Sequence, residues 1–88
     1  MDSTSRPERI GQVWTRLEGD ETAIFDPSSG RLMRLNPSAR AIWELCDGET
    51  TVDEVVDALV ELTGRPKAEV ISEVKATLDQ LLSLGLVT

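Results

Sequence analysis

The spacing of apolar positions changes character at Asn36-Pro37. Before that point it is strand-like, and after it the period is helical. Val13-Trp14-Thr15-Arg16-Leu17 alternates apolar and polar residues, which predicts a half-buried strand. Thr22-Ala23-Ile24-Phe25 predicts a second strand and Leu32 to Leu35 a third. The turn signals between them are Glu18-Gly19-Asp20-Glu21 and Asp26-Pro27-Ser28-Ser29-Gly30. In the latter, Pro presets a turn φ and Gly tolerates φ > 0. Short loops between consecutive strands favour an antiparallel meander, which would leave the third strand with one edge unpaired.

Asn36-Pro37 then starts a helix, with Asn as a favoured N-cap and Pro at a first position that needs no N–H. Ala39, Ile42, Trp43 and Cys46 share one face, and Asp47-Gly48 ends this helix. Thr51 and Glu54 have capping-box spacing and open a second helix whose apolar face is Val52, Val55, Val56 and Leu59, with Leu62 near its end. Gly64 and Pro66 terminate it. A third helix is predicted from about Pro66 to Leu84. Its stripe is Ile71, Val74, Leu78, Leu81 and Leu82, widened by Val70, Thr77 and Leu84. That sector is broad enough for part of it to wall a groove. Leu86 and Val87 are expected to fold back as an apolar tail. Residues 1–11 are polar and are expected to be a flexible tail, with one domain over 12–88. Trp14 and Trp43 are expected in the core. The predicted class is α+β, a three-stranded antiparallel sheet followed by three helices.

Charge narrows the functional classes. The 88 residues carry 9 Lys+Arg against 16 Asp+Glu, a net charge of −7. Residues 1–36 contribute 5 basic and 6 acidic groups, so residues 37–88 hold 4 and 10. An acidic helical half repels phosphate, which argues against a nucleic-acid partner. With no His, imidazole catalysis and imidazole metal ligation are excluded; a lone Cys disfavours a structural zinc site, and no metal or other cofactor is expected. No phosphate loop or nucleophile elbow is present. No apolar run reaches membrane-spanning length and residues 1–6 lack a signal core, so a cytoplasmic protein without a membrane partner is expected. Cys46 lies on an apolar helix face and reads as a buried thiol. The balance favours binding over catalysis.

The ordered set Gly30, Leu35-Asn36-Pro37, Ala41-Ile42-Trp43, Leu45-Cys46-Asp47-Gly48, Thr51-Val52, Val55-Val56, Leu82 and Gly85-Leu86-Val87 resembles the PqqD family over about residues 12–88. The resemblance implies a small winged helix-turn-helix-like domain that is not an enzyme. It implies a recognition element that binds the leader of a ribosomally synthesised, post-translationally modified precursor peptide and presents the core to a modifying enzyme. In that family the leader adds as a strand to the third strand and packs against the third helix.

The residues fit such a role. An unpaired strand edge offers N–H and C=O groups to an extended peptide. The candidate peptide-binding residues are Arg31, Leu32, Met33, Arg34 and Leu35 on the third strand. Val70, Val74, Lys75, Thr77, Leu78 and Leu81 on the third helix are candidates for the opposite wall. Alternation puts Arg31, Met33 and Leu35 on one face and Leu32 and Arg34 on the other, without fixing which faces the helix. Met33 and Val74 are expected to be groove positions where Asp weakens binding without unfolding. Arg31 and Arg34 could meet acidic leader residues, although protecting an edge with charge accounts for them equally well. The partner enzyme could be a radical-SAM maturase or a lasso-type peptidase or cyclase. A homodimer through the third strand is a further possibility. Competing classes are a winged-helix DNA-binding regulator, which would want a basic recognition helix, a carrier protein, whose only Asp-Ser here is Asp2-Ser3, and a scaffold that binds only the enzyme.

Overall fold

The computed structural model describes all residues, 1–88. Three strands, β1 (Trp14–Glu18), β2 (Glu21–Asp26) and β3 (Arg31–Leu35), form an antiparallel sheet in the order β1-β2-β3. Three helices follow: α1 (Pro37–Leu45), α2 (Val52–Thr63) and α3 (Lys67–Ser83). The result is a small α+β domain, a three-stranded antiparallel sheet followed by three helices, as the change of apolar period anticipates.

The pairing register assigns the two faces of the sheet. Thr22, Ile24 and Asp26 of β2 stand opposite Leu35, Met33 and Arg31 of β3. This face turns inward, and Ile24, Met33 and Leu35 join the apolar core with residues of all three helices. The sheet sits off-centre on the helices. They lie beneath β2 and β3, so β1 projects beyond them and is exposed along its whole length. The half-buried β1 expected from its alternation is therefore corrected: Leu17 points inward but finds no helix and stays 65% exposed. Trp14 is likewise on the surface, 68% exposed and tilted against Phe25, whereas Trp43 is in the core as expected. Leu62 also points out to solvent.

The helix ends follow local chemistry. Asn36 caps α1 by accepting from the Ala39 N–H at 2.9 Å. The capping box of α2 is complete, with the Glu54 N–H donating to Thr51 Oγ1 and the Thr51 N–H donating to Glu54 Oε1. After α3 the chain turns through Gly85 at φ 69°. The Gly85 and Leu86 N–H groups donate to the Leu82 and Leu81 carbonyls, a Schellman closure. That turn folds Leu86 and Val87 back into the core.

Residues 1–11 do not form the flexible tail expected. Pro7 is fully buried. The Ser5 and Ser3 carbonyls accept from the Val52 and Asp53 N–H groups, which begin α2 and have no intrahelical partner. Arg9 does the converse at the end of α1: its Nη1 donates to the carbonyls of Trp43 at 3.0 Å and Glu44 at 2.6 Å. Its guanidinium also lies 5.9 Å from the Trp43 ring centroid, a cation–π distance. Glu8 exchanges two backbone hydrogen bonds with Thr88. The N-terminal segment is a strap that closes two helix ends and the C-terminus.

Deleting residues 1–10 should therefore destabilise the domain by about 2–5 kcal/mol, given several hydrogen bonds worth roughly 0.5–1.5 kcal/mol each and a buried proline. Urea unfolding of the full and shortened chains measures it, and equal midpoints would contradict the strap's role. A second expectation concerns acid. Hydrogen bonds from the Thr51 backbone and hydroxyl hold the Glu54 carboxyl below its ordinary 4.5. Bonds from the Glu49 and Thr50 backbone hold Asp47 below its ordinary 3.8. A depressed folded value stabilises above the ordinary pKa and is lost as pH falls through and below it. Glu54→Gln should thus flatten the loss of thermal stability between about pH 5 and pH 3, measured as melting temperature against pH.

Candidate functional site

The position of β3 is fixed at both ends by local hydrogen bonds. Ahead of it, Asp26 Oδ1 accepts from the Ser28 N–H at 3.0 Å and the Ser28 hydroxyl at 2.7 Å, and Oδ2 accepts from the Ser29 hydroxyl at 2.9 Å. These bonds, the Ser28 hydroxyl first, lower the Asp26 pKa and keep it ionised. Gly30, at φ 74°, donates its N–H to the Asp26 carbonyl and delivers the chain into Arg31. Behind it, the Asn36 cap ends the strand at Leu35.

β3 pairs with β2 on one side only, so its other edge carries unpaired backbone groups. The inward face is Arg31, Met33 and Leu35, which answers the question of orientation left by alternation. Met33 is 7% exposed and Leu35 fully buried. Arg31, first on this face, reaches α3: its Nη1 donates to the Ser83 carbonyl at 3.0 Å, one of the last carbonyls of the helix. Elsewhere the backbones of β3 and α3 stand apart, with no Cα of one within 8 Å of a Cα of the other. The strand and helix are thus joined by core side chains beneath and by one arginine at the strand's start.

The α3 candidates divide by burial. Val70, Val74, Leu78 and Leu81 are core residues, and Thr77 is at the core's margin. Lys75 is exposed, and helical rotation of roughly 100° per residue places it about 160° around α3 from Thr77. It borders a recess on the α2 side with Val52, Val56, Ile71 and Met1. The anticipated wall residues are therefore not one surface. Most of them fix the helix from inside.

On the outward face, Leu32 is 52% exposed and Arg34 is exposed. Arg34 has one carboxylate near it, Glu18 at 3.9 Å across the sheet. Arg16 has no ion-pair partner, whereas Arg40, Arg65 and Lys67 on the helical half pair with Glu44, with Glu69 and Glu73, and with Asp57. Cations unpaired or weakly paired are therefore Arg16 and Arg34 on the sheet and Lys75 on α3. Cys46 is buried as expected, its thiol donating to the Ile42 carbonyl at 3.2 Å and pushed up to about 11 by that burial.

Sequence reasoning missed the outward row Trp14–Phe25–Leu32, in which the three residues stand directly opposite one another across the strands. Only the pairing register brings them together. It also missed Arg9, whose role depends on a contact with residues more than thirty positions away.

A family model described as coenzyme PQQ synthesis protein D (PqqD) matches residues 21–87. Among solved structures, one titled TbiB1 in complex with the TbiA(beta) leader peptide superposes with a TM-score of 0.76 at 20% identity, covering 91% of this chain and 93% of the other. That likeness concerns the fold. No curated protein matches the sequence.

Burial changes what substitution at the candidate positions does. A carboxylate at Met33 or Val74 would be desolvated in the core, contrary to the groove positions read from sequence. Met33→Asp and Val74→Asp should each destabilise by about 3 kcal/mol or more, seen as loss of cooperative thermal unfolding by circular dichroism. Leu32→Asp, on the exposed face, should leave the transition within about 0.5 kcal/mol of the parent.

Proposed function

The chain belongs to the PqqD family, and on that footing we propose that it is a non-catalytic peptide-recognition protein. It captures the leader segment of a ribosomally synthesised precursor peptide as a strand added to the free edge of β3, and it presents the peptide to a modifying enzyme. The observation that carries this reading is the one-sided pairing of β3, held in fixed register and separated from the α3 backbone. An extended peptide satisfies the unpaired backbone groups, while side chains beside the edge supply selectivity. The TbiB1 structure, of the same fold, was determined with a leader peptide bound.

In this reading Arg31 to Leu35 form the pairing edge. Val70, Val74, Thr77, Leu78 and Leu81 hold α3 as the opposite wall, and Lys75 stands outside the groove. Met33 and Leu35 set the floor from within the core. Arg31 marks one end of the groove through its bond to Ser83. The modifying enzyme is a radical-SAM maturase or a lasso-type peptidase or cyclase, and the compartment is the cytoplasm, where an unpaired Cys46 suits reducing conditions. No helix is long and apolar enough to cross a membrane. A DNA-binding role is disfavoured by the charge of the helices, whose cations are mostly paired to carboxylates.

Amide hydrogen exchange with the precursor peptide encoded beside this protein tests the proposal. Protection should concentrate in residues 31–35. N-methylation of the peptide should abolish binding at alternating positions, because only alternate amides face the pairing strand. Protection confined to β1 or to the α2–α3 recess would move the site. N-methyl effects without alternation would rule out strand addition.

A further inference from the structure

The outward face of the sheet continues up to the edge where the peptide is proposed to add. The row Trp14–Phe25–Leu32 crosses all three strands and ends at β3 with Leu32 half-exposed. The next row is Arg16–Ala23–Arg34, in which small Ala23 separates two guanidiniums. Both rows stop at a free edge. Each lacks the neighbour that a fourth strand would bring to about 5 Å.

We infer that this face reads the peptide as well as the edge: the added strand carries a bulky apolar side chain opposite Leu32 and an acidic side chain two residues away, opposite Arg34. The inference rests on strand addition at β3 and extends it to a two-point sequence requirement. Backbone pairing ignores sequence, and the inward face is closed by buried Met33 and Leu35. With Arg31 tied to the Ser83 carbonyl, Leu32 and Arg34 are the β3 side chains left to discriminate on the outward face. The apolar row is uncovered in the free domain, so a large apolar residue beside Leu32 removes its flank from water. Arg34 is held only by an exposed carboxylate at the 3.9 Å limit, a weak competitor for a cross-strand acid. Arg16 shares its outward row, although the chain as a whole carries −7.

The same geometry disfavours a second copy as the added strand. Antiparallel self-pairing centred on Met33 sets each Leu32 against an Arg34, and centring on Arg34 sets two guanidiniums opposite each other. Centring on Leu32 leaves Arg34 opposite Gly30. No such register supplies a carboxylate to Arg34.

The test is selection of a random dodecapeptide display library on the full-length protein and on its Arg34→Glu variant, with circular dichroism confirming that both are folded. The parent should enrich peptides with a bulky apolar residue two positions from Asp or Glu. Arg34→Glu should keep the apolar preference and exchange the acid for Lys or Arg. A selected acidic peptide should bind the variant about tenfold more weakly, and changing its acid to Lys should restore binding. Binders that show alternating N-methyl sensitivity but no such spacing, or the same motif from both proteins, overturn the inference and leave strand addition standing. If the parent enriches no peptide that pairs along β3, both readings fall together. Concentration-dependent dimerisation that blocks peptide binding and is lost in Leu32→Asp would assign the face to a second copy instead.

Discussion

Backbone polar groups that no regular element satisfies are the constraint on which this small domain turns. Three helices and a three-stranded sheet leave helix ends and two strand edges open, and burying such groups unpaired is unfavourable. The chain closes most of them with distant partners. Ser3 and Ser5 carbonyls take the first N–H groups of α2, Arg9 takes the last carbonyls of α1, and Arg31 takes a carbonyl at the end of α3. The outer edges of β1 and β3 are left without such closure, and of the two only the β3 edge lies beside a helix, which approaches it only through side chains. The proposed function follows from that exception.

The arrangement also separates two demands that conflict in a binding site. A recognition edge must be accessible, yet it must hold its register. Here the register is fixed by residues that a peptide need not touch: the Asp26 turn, the Asn36 cap, and the inward side chains of Met33 and Leu35. What remains free is backbone along one side and two outward side chains. On the proposed reading, such a surface would change its preference through Leu32 and Arg34 without disturbing the core beneath.

The fold was legible in the sequence because its signals are local. The capping box at Thr51, the Asn-Pro start of α1, the glycine stops and the alternation of the strands each act within a few residues. All six elements occur close to where those signals put them. The site was only partly legible, for a geometric reason. Apolar periodicity says that Val70, Val74 and Leu81 share a face but not whether the face meets core or groove, and packing gave it to the core. Alternation paired Met33 with Leu35 correctly but could not say that β1 overhangs the helices and leaves Trp14 in solvent. The N-terminal segment was misread for the same reason. Its partners lie far along the chain, and nothing periodic in a run of polar residues announces them.

The exchange of hydrogen bonds between Glu8 and Thr88 has a topological meaning. It brings the last residue back to the beginning of the fold and nearly closes the chain into a ring. Thr88 lies only five residues beyond Ser83, the residue whose carbonyl Arg31 holds. A polypeptide grafted after Thr88 would leave the domain five residues of chain from the helix end that Arg31 ties to β3. A linker of modest length would then hold a fused catalytic module at high effective concentration over any peptide seated there.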